Sequence, residues 1–379
     1  MLAKLDAIQM QIAAQFSKKI PELLSDRFYA VSTRIPISSF PTLPSRADLW
    51  LRRLPDKPKE LLLHRWVEFY EKIPQKQRVR TGEEIFQKFV TLRRRMIGAQ
   101  EKYLPISDGA MCYWETNRRA QKETIVFLHG FADSKDSVYD FAQHMVRDYH
   151  LIAPDLPGFG KSFKNPDLNY NIESLTRWLV EWVNKTGLQR FHLVGNSLGG
   201  SAAAYLALHM PEQVQTLTLV SPAAIMSPEH PSLYDDLVVG RNLFQIKTTR
   251  EFDAFLKRVF HRSLMLPPFV KDYYFYNFIE NYDWYGQLIE QTFEGVSSID
   301  DPQFKRLLLN HRLPELAMPT HVVWGAEDSL FPASFGDIAQ RLLPRSRLTI
   351  MPQVGHAPQM ENPKEFAKLI RDFHVEHKV

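Results

Sequence analysis

The 379 residues contain one cysteine, Cys112. An internal disulfide is thereby excluded, and such usage fits a reducing compartment. Long apolar runs are missing too. No stretch approaches the roughly 18 residues of a membrane-crossing helix, and the N-terminus has no uninterrupted apolar core of a secretory signal. A cytoplasmic protein, soluble or peripherally membrane-associated, is the expectation. Metal-ligand spacings of the H-E-x-x-H or paired-cysteine kind are absent, so neither metal nor other cofactor is expected. The pair His374 and His377 reads as part of a disordered tail. Gly160-Lys161-Ser162 imitates the end of a phosphate-binding loop. The glycine that loop needs five residues before Gly160 is Asp155 here, which reads as structural, and a nucleotide site is not expected.

What is present is a large apolar fraction, 44%, with 12% aromatic residues. That supports one sizeable core with additions. Net charge is only +4, but 22 Lys and Arg stand against 13 Asp and Glu over residues 1–120, an excess of +9 that leaves −5 for the rest. Leu5, Ile8, Ile12, Phe16 and Ile20 recur at helical spacing before Pro21. This amphipathic stretch reads either as a helix packed on the protein's own body or as a peripheral membrane contact through residues 1–20. Prolines at 36, 41, 44, 55 and 58 then predict an extended wrap, with Trp50 and Leu51 as anchors. Helices are expected over 60–73 and 81–103, the second opened by Thr81 with Glu84 in capping-box register. Arg93, Arg94 and Arg95 read as a solvated helix face. No aromatics interleave them as nucleic-acid binding prefers, so no nucleic-acid partner is expected.

After Pro105 strands and helices alternate, which predicts an α/β class with a mostly parallel sheet and helices on both faces. The central signal is Phe191-His192-Leu193-Val194-Gly195-Asn196-Ser197-Leu198-Gly199-Gly200. A buried strand runs through G-x-S-x-G into an Ala-rich helix, and the turn holds Ser197 in a strained conformation that small neighbours permit. Alternation stops near Ser221, and about ninety residues pass before the next strand. Helices are expected at 249–261 and 268–293, the latter crowded with aromatics. Phe275 and Phe278 are candidates for an acyl-sized apolar pocket, against ordinary packing of a cap. Strands resume at 321–324, followed by Glu327 and Asp328, and at 346–351, followed by Gly355-His356. Serine, acid and histidine thus appear in the order one class of hydrolases uses.

On these residues, with His129-Gly130-Phe131 and Asp155-Leu-Pro-Gly-Phe-Gly-Lys-Ser162, the chain from about Pro105 onward resembles the α/β-hydrolases. It is most similar to the branch of monoacylglycerol lipases and bacterial lipases. The resemblance implies an α/β-hydrolase fold with a helical cap inserted after the sixth strand and a helical N-terminal extension. The divisions expected are 1–103 extension, 104–221 first part of the core, 222–313 cap, and 314–379 second part of the core. Ser197 would be nucleophile, His356 its base, and Asp328, four residues before Pro332, the acid in preference to Glu327. Backbone N–H groups of Phe131 and Leu198 would form the oxyanion hole, and His129 would shape that loop. The implied activity is hydrolysis of carboxylic esters, acylglycerols or other lipid-like esters, with a small-molecule ester as partner. The same scaffold also hosts carbon–carbon bond hydrolases, thioesterases and acyltransferases. A different class of reading is a low-turnover ligand-binding protein docked through its basic extension.

Overall fold

The computed structural model describes residues 70–117, 122–226, 232–262 and 266–377. The amphipathic stretch 1–20, the proline-spaced segment with Trp50 and Leu51, and nearly all of the helix expected at 60–73 lie outside the described residues.

Apolar residues in consecutive strand positions set the architecture, because neighbours on a strand face opposite sides of a sheet. In β3 (Thr124–Leu128) all five residues are buried; Val126 and Leu128 join one hydrophobic core, Ile125 and Phe127 the other. A strand buried on both faces needs helices on both. The sheet holds β1 (Gln100–Ile106), β2 (Gly109–Glu115), β3, β4 (His150–Pro154), β5 (Phe191–Asn196), β6 (Val214–Val220), β7 (Thr320–Gly325) and β8 (Ser346–Met351), in the order β1-β2-β4-β3-β5-β6-β7-β8. The β1–β2 and β2–β4 pairs are antiparallel; β3 pairs parallel with β4 and β5, and the ladder stays parallel out to β8.

Among the helices, α1 is Gln75–Met96, α2 Tyr139–Met145, α3 Ile172–Thr186 and α4 Leu198–His209. Between β6 and β7 the expected helical insert comprises α5 (Leu233–Leu237), α6 (Thr249–Val259), α7 (Pro268–Glu280), α8 (Tyr282–Thr292) and α9 (Pro302–Leu307). Then follow α10 (Ser334–Leu342), α11 (Pro358–Glu361) and α12 (Pro363–Glu376). Trp178 and Trp182 of α3, Ala203 and Leu206 of α4 and Phe335 of α10 share the core with Val126; Phe141 of α2 and Phe366 and Ile370 of α12 share the one with Phe127. No helix among the described residues is long and apolar enough to cross a membrane.

The described residues fall into two compact units, 70–91 with 268–273, and those of 92–267 with those of 274–377. In the first, the Tyr70 hydroxyl donates to Asp272 at 2.5 Å, Arg78 pairs with the same carboxylate at 3.3 Å, and the Tyr70 ring meets Phe269 edge-on.

Several expectations are corrected. The helix expected at 81–103 starts at Gln75 and stops at Met96, because Gly98 adopts φ 66°, the left-handed conformation that ends helices, and residues 100–106 pair as an edge strand. Thr81 is therefore mid-helix, and Glu84 pairs with Arg80 instead of capping. The long helix expected at 268–293 breaks at Asn281. Arg93 and Arg94 are not a solvated face: Arg93 pairs with Asp140 over the Tyr139 ring, and buried Arg94 pairs with Glu101 at 2.5 Å and Asp136 at 3.1 Å. His374 is no tail residue either, being fully buried and stacked on His192.

Candidate active site

Strand β5 ends at Asn196 and α4 begins at Leu198, so Ser197 makes the turn alone. Its backbone sits at φ 56°, ψ −122°, where L-residues are strained. Small neighbours are required on both sides. A Cβ on Gly195 would collide with the Gly199 carbonyl, and one on Gly199 with the carbonyls of Leu128 and His129. A Cβ on Gly130 would stand 3.2 Å from that of Ser197, so the His129-Gly130-Phe131 loop lies directly against the serine. Buried His129 shapes this loop: its Nε2 accepts the Leu156 N–H at 2.9 Å, which leaves Nδ1 to donate to the Gly130 carbonyl at 2.8 Å. Leu198 opens the helix, where backbone N–H groups have no intrahelical acceptor and the helix dipole favours negative charge.

The turns after β7 and β8 meet beside this elbow. Asp328 Oδ2 and His356 Nδ1 are 2.8 Å apart, and Asp328 Oδ1 accepts the N–H groups of Leu330 at 2.9 Å and Phe331 at 3.0 Å. Both side chains are nearly or wholly out of water. His356 Nε2 is buried without a hydrogen-bond partner among the described residues. No hydrogen bond joins it to the Ser197 hydroxyl. The neighbouring acid Glu327 is exposed and accepts the Val354 N–H at 3.0 Å instead. Asn196, the residue before the serine, donates to the His356 carbonyl at 3.0 Å and to that of Val220 at 3.1 Å, and Gln359 donates to Asn196 at 3.0 Å. Asn196 and Gln359 were not singled out from sequence. The available signal was an amide between Gly195 and Ser197 at the end of a buried strand, a polar group that must find partners.

Aromatic rings surround the loop at Phe131. That ring lies 4.4 Å from Phe244, 5.1 Å from Phe159 and 5.5 Å from Tyr285, centroid to centroid. Phe278 contacts Tyr285 and Phe255, and Phe275 contacts Phe252. Phe278 thus reaches the Phe131 loop through Tyr285, whereas Phe275 sits a layer further out. Phe244 escaped the sequence reading because it precedes α6 in an irregular segment with no periodicity.

Asp155 is buried and structural. It accepts the Lys135 N–H at 2.8 Å, the Lys135 ammonium at 2.7 Å and the Lys161 N–H at 2.9 Å. Burial works against the Lys135 charge, but Asp155 and Asp136 outweigh it and hold the amine above its ordinary range. Glu101 lies 3.3 Å from the same ammonium. Burial disfavours its charged form, yet Lys161, Lys135 and Arg94 pull its carboxyl down to about 2.

A mostly parallel sheet, helices on both faces, and a strained serine at a strand-to-helix turn define a class of α/β proteins that build their sites at the carboxyl ends of strands. Residues 123–363 match the alpha/beta hydrolase fold family, and the chain belongs to that family. It is 27% identical to Lipase 1 of Psychrobacter immobilis over 288 residues, 76% of this chain and 88% of that protein. It is 26% identical to the monoacylglycerol lipase abhd6-B of Xenopus laevis over 289 residues, 74% of this chain and 83% of the relative. Among solved structures, a membrane phospholipase A described as a bacterial virulence factor superposes with a TM-score of 0.71 at 28% identity, covering 84% of this chain and 97% of that one.

Proposed function

We propose that the protein is a serine hydrolase that cleaves carboxylic esters of lipids, acylglycerols among them, through an acyl-enzyme. The observation that carries this reading is the Asp328–His356 hydrogen bond at 2.8 Å, with the other imidazole nitrogen buried and unbonded and the His356 carbonyl tied to Asn196, the residue before Ser197. A hydroxyl is a weak nucleophile at neutral pH, so it needs a base that takes its proton during attack. His356 Nε2 accepts the Ser197 proton as the Ser197 oxygen bonds to the ester carbon. Asp328 fixes the imidazole tautomer and stabilises the imidazolium. The N–H groups of Phe131 and Leu198 donate to the oxyanion. Collapse breaks the ester C–O bond, His356 returns the proton to the leaving alkoxide, and water then releases the acid by the same steps.

The substrate class follows from two supports. Lipase and monoacylglycerol lipase relatives cover three-quarters of the chain, and aromatic rings of the cap, Phe244, Tyr285 and Phe278, pack above the loop that would hold the carbonyl. We place the acyl chain among these rings, where burial of each methylene contributes about 0.8 kcal/mol. Residues 1–20 would supply a peripheral contact with the lipid surface.

Ser197→Ala is expected to abolish both labelling by a fluorophosphonate and hydrolysis of p-nitrophenyl esters while leaving the circular dichroism unchanged. Comparable turnover in that variant rejects the assignment. A chain-length series of the same esters is expected to favour medium or long acyl groups over acetate.

A further inference from the structure

Two carboxylates fasten the histidine turn without being Asp328. Glu327 ties it to the body through Val354; Glu361, at the end of α11, ties it to the cap. Glu361 Oε1 accepts the Gly355 N–H at 2.8 Å, and Oε2 accepts the N–H groups of His261 at 2.9 Å and Arg262 at 3.2 Å, the residues that leave cap helix α6. The same junction carries a bond from the His356 N–H to the Val259 carbonyl at 2.8 Å, and one from the Arg262 guanidinium to Gln353 at 3.1 Å. The last carbonyls of a helix lack intrahelical donors, so the histidine turn caps α6 as α6 anchors the turn. The fit leaves no room for a side chain. A Cβ on Gly355 would stand 2.7 Å from the His261 nitrogen, 2.8 Å from the Val259 carbonyl oxygen and 2.9 Å from Glu361 Oε1. Gln353, which opens the turn, is held at φ 58°, a strained value that persists only under surrounding restraint.

We infer that Glu361 is a positioning residue for His356: its carboxylate spans the gap between the histidine turn and the end of α6, so the imidazole holds its place only while the cap is docked there. The inference rests on the assignment of Ser197, Asp328 and His356 to catalysis. It makes cap position a determinant of base position, which separates it from a bond that merely adds stability.

Glu361→Gln tests it in the full-length protein. A glutamine keeps the shape but presents one oxygen and one NH2, so either Gly355 or the His261–Arg262 pair faces a donor instead of an acceptor. With p-nitrophenyl ester as substrate and active sites counted by fluorophosphonate titration, kcat per titrated site is expected to fall on the order of 10- to 100-fold, as misplacement of a catalytic group by about 1 Å does. KM should change by less than about threefold, since the bonds of Glu361 run to Gly355, His261 and Arg262 and not to the rings assigned to the acyl pocket. Fluorophosphonate inactivation should slow by the same factor as kcat. A purely stabilising role would lower the melting temperature and the fraction of titratable sites while leaving kcat per site at the wild-type value, and that result overturns the inference. Should Glu361→Gln fail to fold, His261→Pro removes the shorter of the two cap-side bonds and leaves the Arg262 N–H in place. Its preceding residue Phe260 is already extended at φ −113°, ψ 128°, as a residue before proline must be. The same fall in kcat per site is expected there, and a wild-type value again overturns the inference. Wild-type turnover that survives Ser197→Ala defeats the hydrolase assignment itself, whereas loss in Ser197→Ala with full kcat per site in Glu361→Gln defeats only the role of Glu361.

Discussion

Glu327 and Asp328 are adjacent residues of equal charge, and their surroundings separate them. Asp328 is shielded from water, accepts two backbone N–H groups on one oxygen and faces His356 on the other; Glu327 is exposed and holds only the Val354 N–H. Asp328→Asn replaces that acceptor oxygen by an amide that either donates toward His356 Nδ1 or disrupts the Leu330 and Phe331 bonds. It is expected to lower kcat on the order of 10⁴-fold, the scale seen when a triad imidazole takes the wrong tautomer. Glu327→Gln keeps an oxygen for Val354 and should stay within severalfold of wild type. Steady-state kinetics on both variants check this, and the reverse ranking would move the acid to Glu327. The proposed Ser197, Asp328 and His356 stand out in the sequence because each follows a recognisable strand, in an order that one class of hydrolases shares. Asn196, Gln359 and Glu361 do not, because their contacts join segments about 160, 163 and 100 residues apart and leave no local pattern.

At the scale of elements, a buried ion pair joins the Leu156–His129 bond in holding the turns after β3 and β4 to each other. Lys135 is 1% and Asp155 0% exposed, and the pair ties the loop carrying Phe131 to the turn at Asp155–Ser162. Lys135→Met leaves the Asp155 carboxylate buried with its principal counter-charge gone, which typically costs about 3–5 kcal/mol. Urea unfolding should show that loss as a lower midpoint at unchanged slope; a loss under about 1 kcal/mol would mean Glu101, Arg94 and Lys161 re-form the network. Asp155 read as structural already in the sequence, but Lys135 did not stand out, since a lysine after a polar loop is ordinarily solvated. The parallel strands were legible from their apolar runs. Strand β1 was not: its sequence Gln-Glu-Lys-Tyr-Leu-Pro-Ile belongs to a sheet edge, where tertiary pairing with β2 overrides weak propensity.

Across the whole molecule the sheet separates the proposed site from acid sensitivity. Ser197, Asp328 and His356 follow the carboxyl ends of their strands, whereas His192 and His321 are the second residues of β5 and β7, at the opposite rim, with His374 of α12 stacked on His192 at 3.8 Å between centroids. Burial disfavours the charged form of all three. It lowers His192 to about 4 against a raising contribution from Glu123, and lowers His321 to about 3 with help from Arg347; His374 falls well below its ordinary value, its neighbouring histidines adding to burial. In the unfolded chain these groups titrate near 6.5, so between that pH and about 4 the unfolded state binds more protons than the folded one. Stability from this layer is therefore complete above about pH 6.5 and is lost as pH falls, each histidine contributing a slope of about 1.4 kcal/mol per pH unit. Urea unfolding measured from pH 7 to 4 should show that decline. His374→Phe keeps a ring in the stack and removes one titrating group, so its curve should be shallower by about one such slope. A decline of equal steepness in wild type and His374→Phe would assign the acid sensitivity to other groups and detach it from the buried rim.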